Sequence, residues 1–252
     1  MKPKVFALFT VLVAIFAGGI TSCDKSSDDI QISTLPEKEL AFPNQQPSVV
    51  RELSASTLDS RNFDEIYEVD ISNYTHVYQE GDRGMCGPCS YVSARSIKNP
   101  SYSATYTTAT TIKSRLDSIH GTGAWGVYQL YAYRDRTSKD WGRWRSPNNM
   151  WTSARDNAKA WIKQKISEGK PCVLPCLYNM STSTSSIGHF YVIVSLYLKN
   201  DGYGSIVGVK DVWRNNSQTF YFSYTDLLSS NWVNTRKYSG VGREHYAVMS
   251  FE

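Results

Sequence analysis

The spacing of apolar residues changes at Gly169, and this change limits the fold more than any other feature of the 252-residue chain. Before Gly169, apolar residues recur at helical spacing, as on one buried face of a helix. After Gly169, they alternate with polar residues, as in strands that bury one side. Helices followed by a mainly antiparallel sheet predict an α+β fold, with the N-terminal helices packed on the sheet.

Three helices are predicted. The first begins at Gly-Pro, residues 87–88, because proline is favoured at a first helical position, and it ends at Asn-Pro, residues 99–100. The second covers "TTATTIKSRLDSI". The third covers "SARDNAKAWIKQKISEG", where Ser153 would cap the start and Gly169 the end.

The second half predicts five strands and a hairpin. The turn is "KNDGYG" at 199–204, and "NMSTSTSSIG" is predicted as a loop. The predicted strands are 171–178, 189–198, 205–213, 218–224 and 245–251. The aromatic segment 125–151 shows no clear period. Its Trp141, Trp144 and Trp151 suit the edge of a core, a carbohydrate platform or the wall of a substrate cleft.

The first residues are typical of an export signal. "MKPKVFALFTVLVAIFAGGITSC" combines two lysines, a short apolar run and small residues before Cys23. The apolar run is too short to span a bilayer comfortably. We therefore expect a signal peptide at 1–22. The polar, proline-containing residues 23–60 predict a tether or short propeptide, and residues 61–252 suit one domain.

The residues around Cys23 resemble a bacterial lipobox. The ending Ile-Thr-Ser-Cys is similar to that of Bacteroidetes lipoproteins, and the following "DKSSDD" resembles their acidic export tag. The resemblance implies lipid on Cys23 and an outer-membrane lipoprotein exposed at the cell surface. The alternative is ordinary cleavage near Ala17, which would leave Cys23 without lipid.

The charge balance argues against a nucleic-acid partner. The formal net charge is +4, from 27 basic and 23 acidic residues, and two of the basic residues lie in the signal peptide. The remaining chain is close to neutral, whereas proteins that bind nucleic acid through phosphate contacts carry a basic surface. We expect a monomer without a cofactor.

The stretch "GMCGPCS" suggests a nucleophilic thiol. Cys86 lies at a predicted helix start, where free backbone amides and the helix dipole favour a thiolate. His189 opens a strong strand and could serve as the base. Asp211 lies on the next strand and could orient the imidazole. Gln79, with the Cys86 amide, could donate to an oxyanion.

These landmarks resemble the C39-like branch of papain-type cysteine peptidases. "YQEGDRGMCGPCS", "EGKPCVLPCLY", "GHFYVIVSLY" and "VGVKDVW" follow that family's order over about residues 72–232. The resemblance implies a papain-like fold and a peptide or protein substrate, with Cys86 as nucleophile, His189 as base, Asp211 as orienting residue and Gln79 as oxyanion donor. Cys89 stands where the family usually has Thr or Ala. Trp213 after Asp211 is closer to the Asn-Ser-Trp of papain.

Alternatives remain for several site residues. His245 is the second candidate base, and Asn215 or Asn216 could replace Asp211. His76 and His120 fit solvated loop positions. Cys89 could form a disulfide with Cys172 or Cys176, or all three could be buried thiols.

Three other functions fit parts of the sequence. "CGPC" is also the spelling of a thioredoxin-like oxidoreductase, but the apolar strand expected before it is absent. A zinc site could use the four cysteines Cys86, Cys89, Cys172 and Cys176, although the apolar residues between the last two are unlike a metal knuckle. A surface binding protein could also use an inactive peptidase scaffold.

Overall fold

The structure is a computed structural model that describes most of the chain after residue 51. The described ranges are 52–55, 58–80, 84–120, 130–131, 133–140, 143–144, 150–179, 186–229, 243–244 and 247–252. The predicted signal peptide, Cys23, Trp141 and His245 lie outside the described residues. No helix among the described ranges is both long enough and apolar enough to cross a membrane.

Eight of the described strands form one sheet, and every pairing in it is antiparallel. The strands are β1 (Glu52–Leu53), β2 (Glu65–Glu68), β3 (Arg136–Asp140), β4 (Arg143–Trp144), β5 (Cys172–Asn179), β6 (Ser186–Leu198), β7 (Ile206–Asp211), β8 (Phe220–Ser223), β9 (Arg243–Glu244) and β10 (Ala247–Phe251). Their order is β1-β8-β7-β6-β5-β10-β3, with β2 also paired to β6. β4 and β9 form a separate pair. The predicted α+β class is therefore correct.

Four α-helices accompany the sheet within the described ranges. They are α1 (Cys86–Lys98), α2 (Tyr106–His120), α3 (Met150–Ser167) and α4 (Tyr224–Ser229). The first three match the predicted helices. The prediction that Ser153 caps α3 is wrong, because the helix begins at Met150 and Ser153 lies inside it. His120 ends α2 and is not a loop residue.

The end of α3 agrees with the prediction from Gly169. Gly169 has a φ of +70°, a left-handed conformation that glycine adopts without a Cβ clash. Its amide donates to Ile166 O at 2.9 Å, and the Lys170 amide donates to Lys165 O at 2.9 Å. These two bonds form a Schellman motif, which satisfies carbonyls at the helix end and turns the chain into β5.

Helices cover both faces of the sheet. Tyr91 of α1 lies against Phe251 of β10, with ring centroids 5.8 Å apart. On the opposite face, the Cys176 thiol points to the carbonyl of Leu227 in α4 at 3.9 Å. The core includes buried apolar side chains from all four helices and from β5, β6, β7, β8 and β10.

Three strands of the eight-stranded sheet lie where the sequence predicted none. β3 crosses the aromatic segment, which showed no clear period. β2 pairs with the far end of β6. β1 pairs with β8, so the sheet includes residues that the sequence assigned to the tether. α4 was also missed, since residues 218–224 read only as a strand.

Candidate active site

Cys86 is the first residue of α1 and is buried, with 1% of its surface exposed. Met85 precedes it as the N-cap, and its side chain makes no capping hydrogen bond. The helix therefore starts one residue before the predicted Gly-Pro, and Pro88 falls in the first turn, where a missing amide is tolerated. A thiol in this place lies at the positive end of the helix dipole, which favours a thiolate.

Three of the described cysteines, Cys89, Cys172 and Cys176, are buried thiols. Burial raises the pKa of the Cys172 thiol to about 12, so this thiol is unreactive near neutral pH. Any reaction that uses the Cys86 sulfur as a nucleophile requires the reduced form.

The start of α1 packs against β6 beside His189. A Cβ placed on Gly87 would lie 3.4 Å from Cε2 of Phe190. The Ser90 hydroxyl donates to the Phe190 carbonyl at 3.1 Å. Gly87, which follows Cys86, thus packs closely on Phe190, which follows His189, while His189 and Phe190 point to opposite faces of β6. The contact between the Cys86 sulfur and the His189 ring stays a prediction.

His189 and Asp211 form a buried hydrogen bond. Asp211 on β7 is the register partner of Tyr191 on the neighbouring strand β6. His189 lies on the same face of β6 as Tyr191, because side chains alternate along a strand. Nε2 of His189 is 2.7 Å from Oδ1 of Asp211, and both side chains are 1% exposed. A carboxylate only accepts, so Nε2 carries the proton, and Nδ1 is the ring nitrogen that remains to accept a proton from a thiol.

The surroundings of Asp211 keep it ionised. Burial alone would raise the pKa of this carboxyl, but His189, the Trp213 amide and Arg214 outweigh burial, so the pKa is lowered overall. The Trp213 N–H donates to Oδ1 at 2.9 Å. Nε of Arg214 is 3.4 Å from Oδ2. An ionised Asp211 can hold the imidazole in one orientation and stabilise its cation.

Aromatic rings screen the pair. The Tyr191 ring meets the His189 ring edge-on at a centroid distance of 4.9 Å, and the Trp213 ring does so at 5.9 Å. Water is thereby kept from the bond between His189 and Asp211, which strengthens that bond electrostatically.

Gln79 lies beside the same strand end. Its backbone amide donates to the Val212 carbonyl at 3.0 Å, one residue after Asp211. The residue is 1% exposed. The structure thus brings Gln79, Asp211 and His189 into one region, and the role of Gln79 as an oxyanion donor stays a prediction.

Sequence reasoning missed the part played by His76. Instead of lying in solvent, its ring is half-buried, and Nε2 lies 2.8 Å from the Arg214 carbonyl while Nδ1 lies 3.0 Å from the Tyr74 hydroxyl. Burial lowers the pKa of His76, although the Arg214 carbonyl and the Asp211 charge oppose this shift. His76 therefore braces the turn that follows Asp211. A lone histidine in a predicted loop gives no signal for this position.

The structure gives no support to the zinc and thioredoxin alternatives. Among the described residues, no three His, Cys, Asp or Glu side chains come close enough together to hold a metal ion. Cys86 and Cys89 are not bonded to each other, since Cys89 is a thiol. Residues 69–80 and 84–85, which precede α1, contain no strand, whereas the thioredoxin motif follows one. Trp144 lies in β4 and Trp151 in α3.

The sequence matches no known protein family and no curated protein.

Proposed function

We propose that this protein is a cysteine peptidase of papain-like fold that hydrolyses peptide or related amide bonds. The observation that carries the proposal is the buried hydrogen bond between His189 and Asp211. His189 precedes Phe190, against which the start of α1 packs at Gly87, the residue after Cys86. Trp213 beside the His189 ring supports the resemblance to papain-type enzymes.

The proposed chemistry uses these groups in sequence. The Cys86 thiol gives its proton to His189 and attacks the substrate carbonyl carbon, while the Cys86 amide and Gln79 donate to the oxyanion. The His189 imidazolium then protonates the leaving amine, and a thioester remains on Cys86. Water attacks the thioester with His189 as base, releasing the carboxylic acid and restoring the thiol. Asp211 stays ionised throughout and orients the ring.

The location follows from the N-terminal sequence. We propose that lipid on Cys23 anchors the enzyme in the outer membrane, with the catalytic domain at the cell surface. Its substrate is then a peptide or protein that reaches the surface.

A matched pair of variants tests the proposal. Cys86 and Cys89 lie one turn apart in α1, and both are buried. In the presence of a reductant, Cys86→Ala should abolish hydrolysis of a peptide library, whereas Cys89→Ala should largely keep it. Hydrolysis is measured by mass spectrometry of the products, and folding of each variant by circular dichroism.

Other outcomes would indicate a different function. Equal loss of hydrolysis in both folded variants, together with reduction of insulin by the wild type, would indicate a dithiol oxidoreductase, because a redox pair needs both cysteines. A folded, reduced wild type that cleaves no peptide would favour the binding protein.

A further inference from the structure

Arg214 contacts the carboxylate that orients His189. It lies in the turn after β7, where its backbone amide donates to the Asp211 carbonyl at 3.2 Å. Its Nε lies 3.4 Å from Oδ2 of Asp211. Oδ1 of the same carboxylate receives His189 Nε2 and the Trp213 amide. Arg214 therefore faces the second carboxylate oxygen, and the Asp211 side chain is held at both oxygens.

The Arg214 guanidinium is itself fixed on two further sides. Its Cζ lies 4.1 Å from the centroid of the Phe220 ring, in a cation–π contact. Its Nη2 donates to Oε2 of Glu52 at 2.7 Å. Because guanidinium is planar and presents donors in a fixed fork, Nε can face Asp211 while Nη2 binds Glu52.

Glu52 reaches this place through the sheet. It lies on β1, where it is the register partner of Phe222 on β8. β1 belongs to the stretch that the sequence assigned to the tether, so a residue outside the predicted peptidase domain contacts the surroundings of the proposed site. The side chains become more exposed along the chain of contacts, from 1% at Asp211 to 34% at Arg214 and 42% at Glu52.

We propose that Arg214, held by Glu52, is a positioning residue that fixes the Asp211 carboxylate and, through it, the His189 imidazole. The inference rests on the proposed peptidase function for its kinetic consequence. Its structural consequence, a fixed His189 ring, holds without turnover. Without Arg214, one carboxylate oxygen loses its cation, and Asp211 can rotate away from Nε2.

The kinetic experiment compares Arg214→Gln, Arg214→Lys and Glu52→Gln in the reduced full chain. Arg214→Gln should lower kcat on a cleaved peptide about tenfold, with KM unchanged, at the low end of losses seen for outer-shell partners of metal-bound histidines. Arg214→Lys should recover part of the loss, since it keeps the charge but not the fork. Glu52→Gln should cost only about two- to threefold, because the amide oxygen still accepts a hydrogen bond.

Lys113→Gln is the matched control. Lys113 forms an ion pair with Asp117 on α2 at 20% exposure, and α2 (Tyr106–His120) carries none of the proposed site residues. This variant should keep kcat. Because Glu52 lies at the surface with 42% of its side chain exposed, Glu52→Gln should fold even if Arg214→Gln does not, and circular dichroism checks both.

A coupling measurement separates positioning from general stability. In an Asp211→Ala background, Arg214→Gln should cause no further loss of kcat, since its effect passes through Asp211. The inference would be overturned if the losses of kcat multiplied in the double variant. It would also be overturned if the kcat of Arg214→Gln lay within twofold of the wild-type value.

Nuclear magnetic resonance provides the readout that needs no turnover. The Nε2 proton of His189 should give a protected downfield resonance in the wild type and lose that protection in Arg214→Gln. If the wild type cleaves no peptide, the peptidase proposal fails while this signal still decides the positioning role. An unchanged signal in a folded Arg214→Gln protein would overturn it.

Discussion

At the scale of single residues, Asp211 shows how a buried charge is stabilised. The side chain is 1% exposed, and burial opposes its ionisation. Three groups offset that cost: the His189 ring, the Trp213 amide and the Arg214 guanidinium. Since their effect exceeds that of burial, the folded-state pKa lies below the unfolded one, and ionised Asp211 stabilises the fold above the unfolded pKa.

This balance predicts the pH dependence of an Asp211→Asn variant. At pH 7 the free energy of unfolding of the variant should be about 1.5–3 kcal/mol lower than that of the wild type, the range for hydrogen bonds to charged groups. The difference should shrink as the pH falls below about 4, the usual unfolded pKa of Asp, because a protonated carboxyl resembles the amide. Urea unfolding at several pH values measures it, and a difference that stays constant to pH 2 would contradict this account.

Sequence reasoning found His189 and Asp211 but not their supports. Both lie on strands of clear period, and consecutive antiparallel strands lie side by side, so their proximity could be predicted. Glu52 and Arg214 are 162 positions apart. Their contact depends on β1 joining β8, and two isolated charged residues give no signal for that pairing.

At the scale of elements, the β6–β7 pair holds the proposed site in place. The register of this pair shifts between Ile193 and Ser195, and Gly208 on β7 is the register partner of Ser195. A Cβ on Gly208 would lie 2.2 Å from the Ser195 Oγ, 3.0 Å from Thr219 Cγ2 and 3.1 Å from Tyr221 Cε1. Position 208 therefore requires glycine, because any Cβ there would clash with the neighbouring side chains.

We expect Gly208→Ala to destabilise the protein by about 1–3 kcal/mol, the usual cost of overpacking. Ser195→Ala removes the nearest atom, so the double variant should recover part of that loss. Thermal unfolding of both single variants and the double variant measures the recovery. Strictly additive losses would show that the Ser195 hydroxyl is not what resists the added methyl group.

Strands with alternating apolar residues were predictable, and the others were not. β3 reads "RTSKD" and pairs only with β10 among the described strands, so as an edge strand it shows no apolar alternation. α3 begins at Met150, three residues before the predicted capping residue Ser153. Local sequence cannot show such an extension.

At the scale of the whole molecule, the proposed function joins a lipid anchor to a catalytic domain. We expect the wild type to partition with outer membranes through lipid on Cys23, and Cys23→Ala to be released into the soluble fraction. Fractionation with mass spectrometry of the N-terminal peptide measures both. A wild type that is soluble and unacylated would favour ordinary signal-peptide cleavage.

The most direct test of the central claim is the reactivity of each cysteine in the reduced, folded chain. With limiting iodoacetamide at pH 6, well below the usual thiol pKa of about 8.5, mass spectrometry should find Cys86 alkylated first. Cys172 should stay unmodified, since burial raises its pKa to about 12. His189→Ala should slow the reaction of Cys86, because the imidazolium stabilises the thiolate. If Cys86 reacts no faster than Cys89, or at the same rate without His189, the proposed pair of nucleophile and base does not exist.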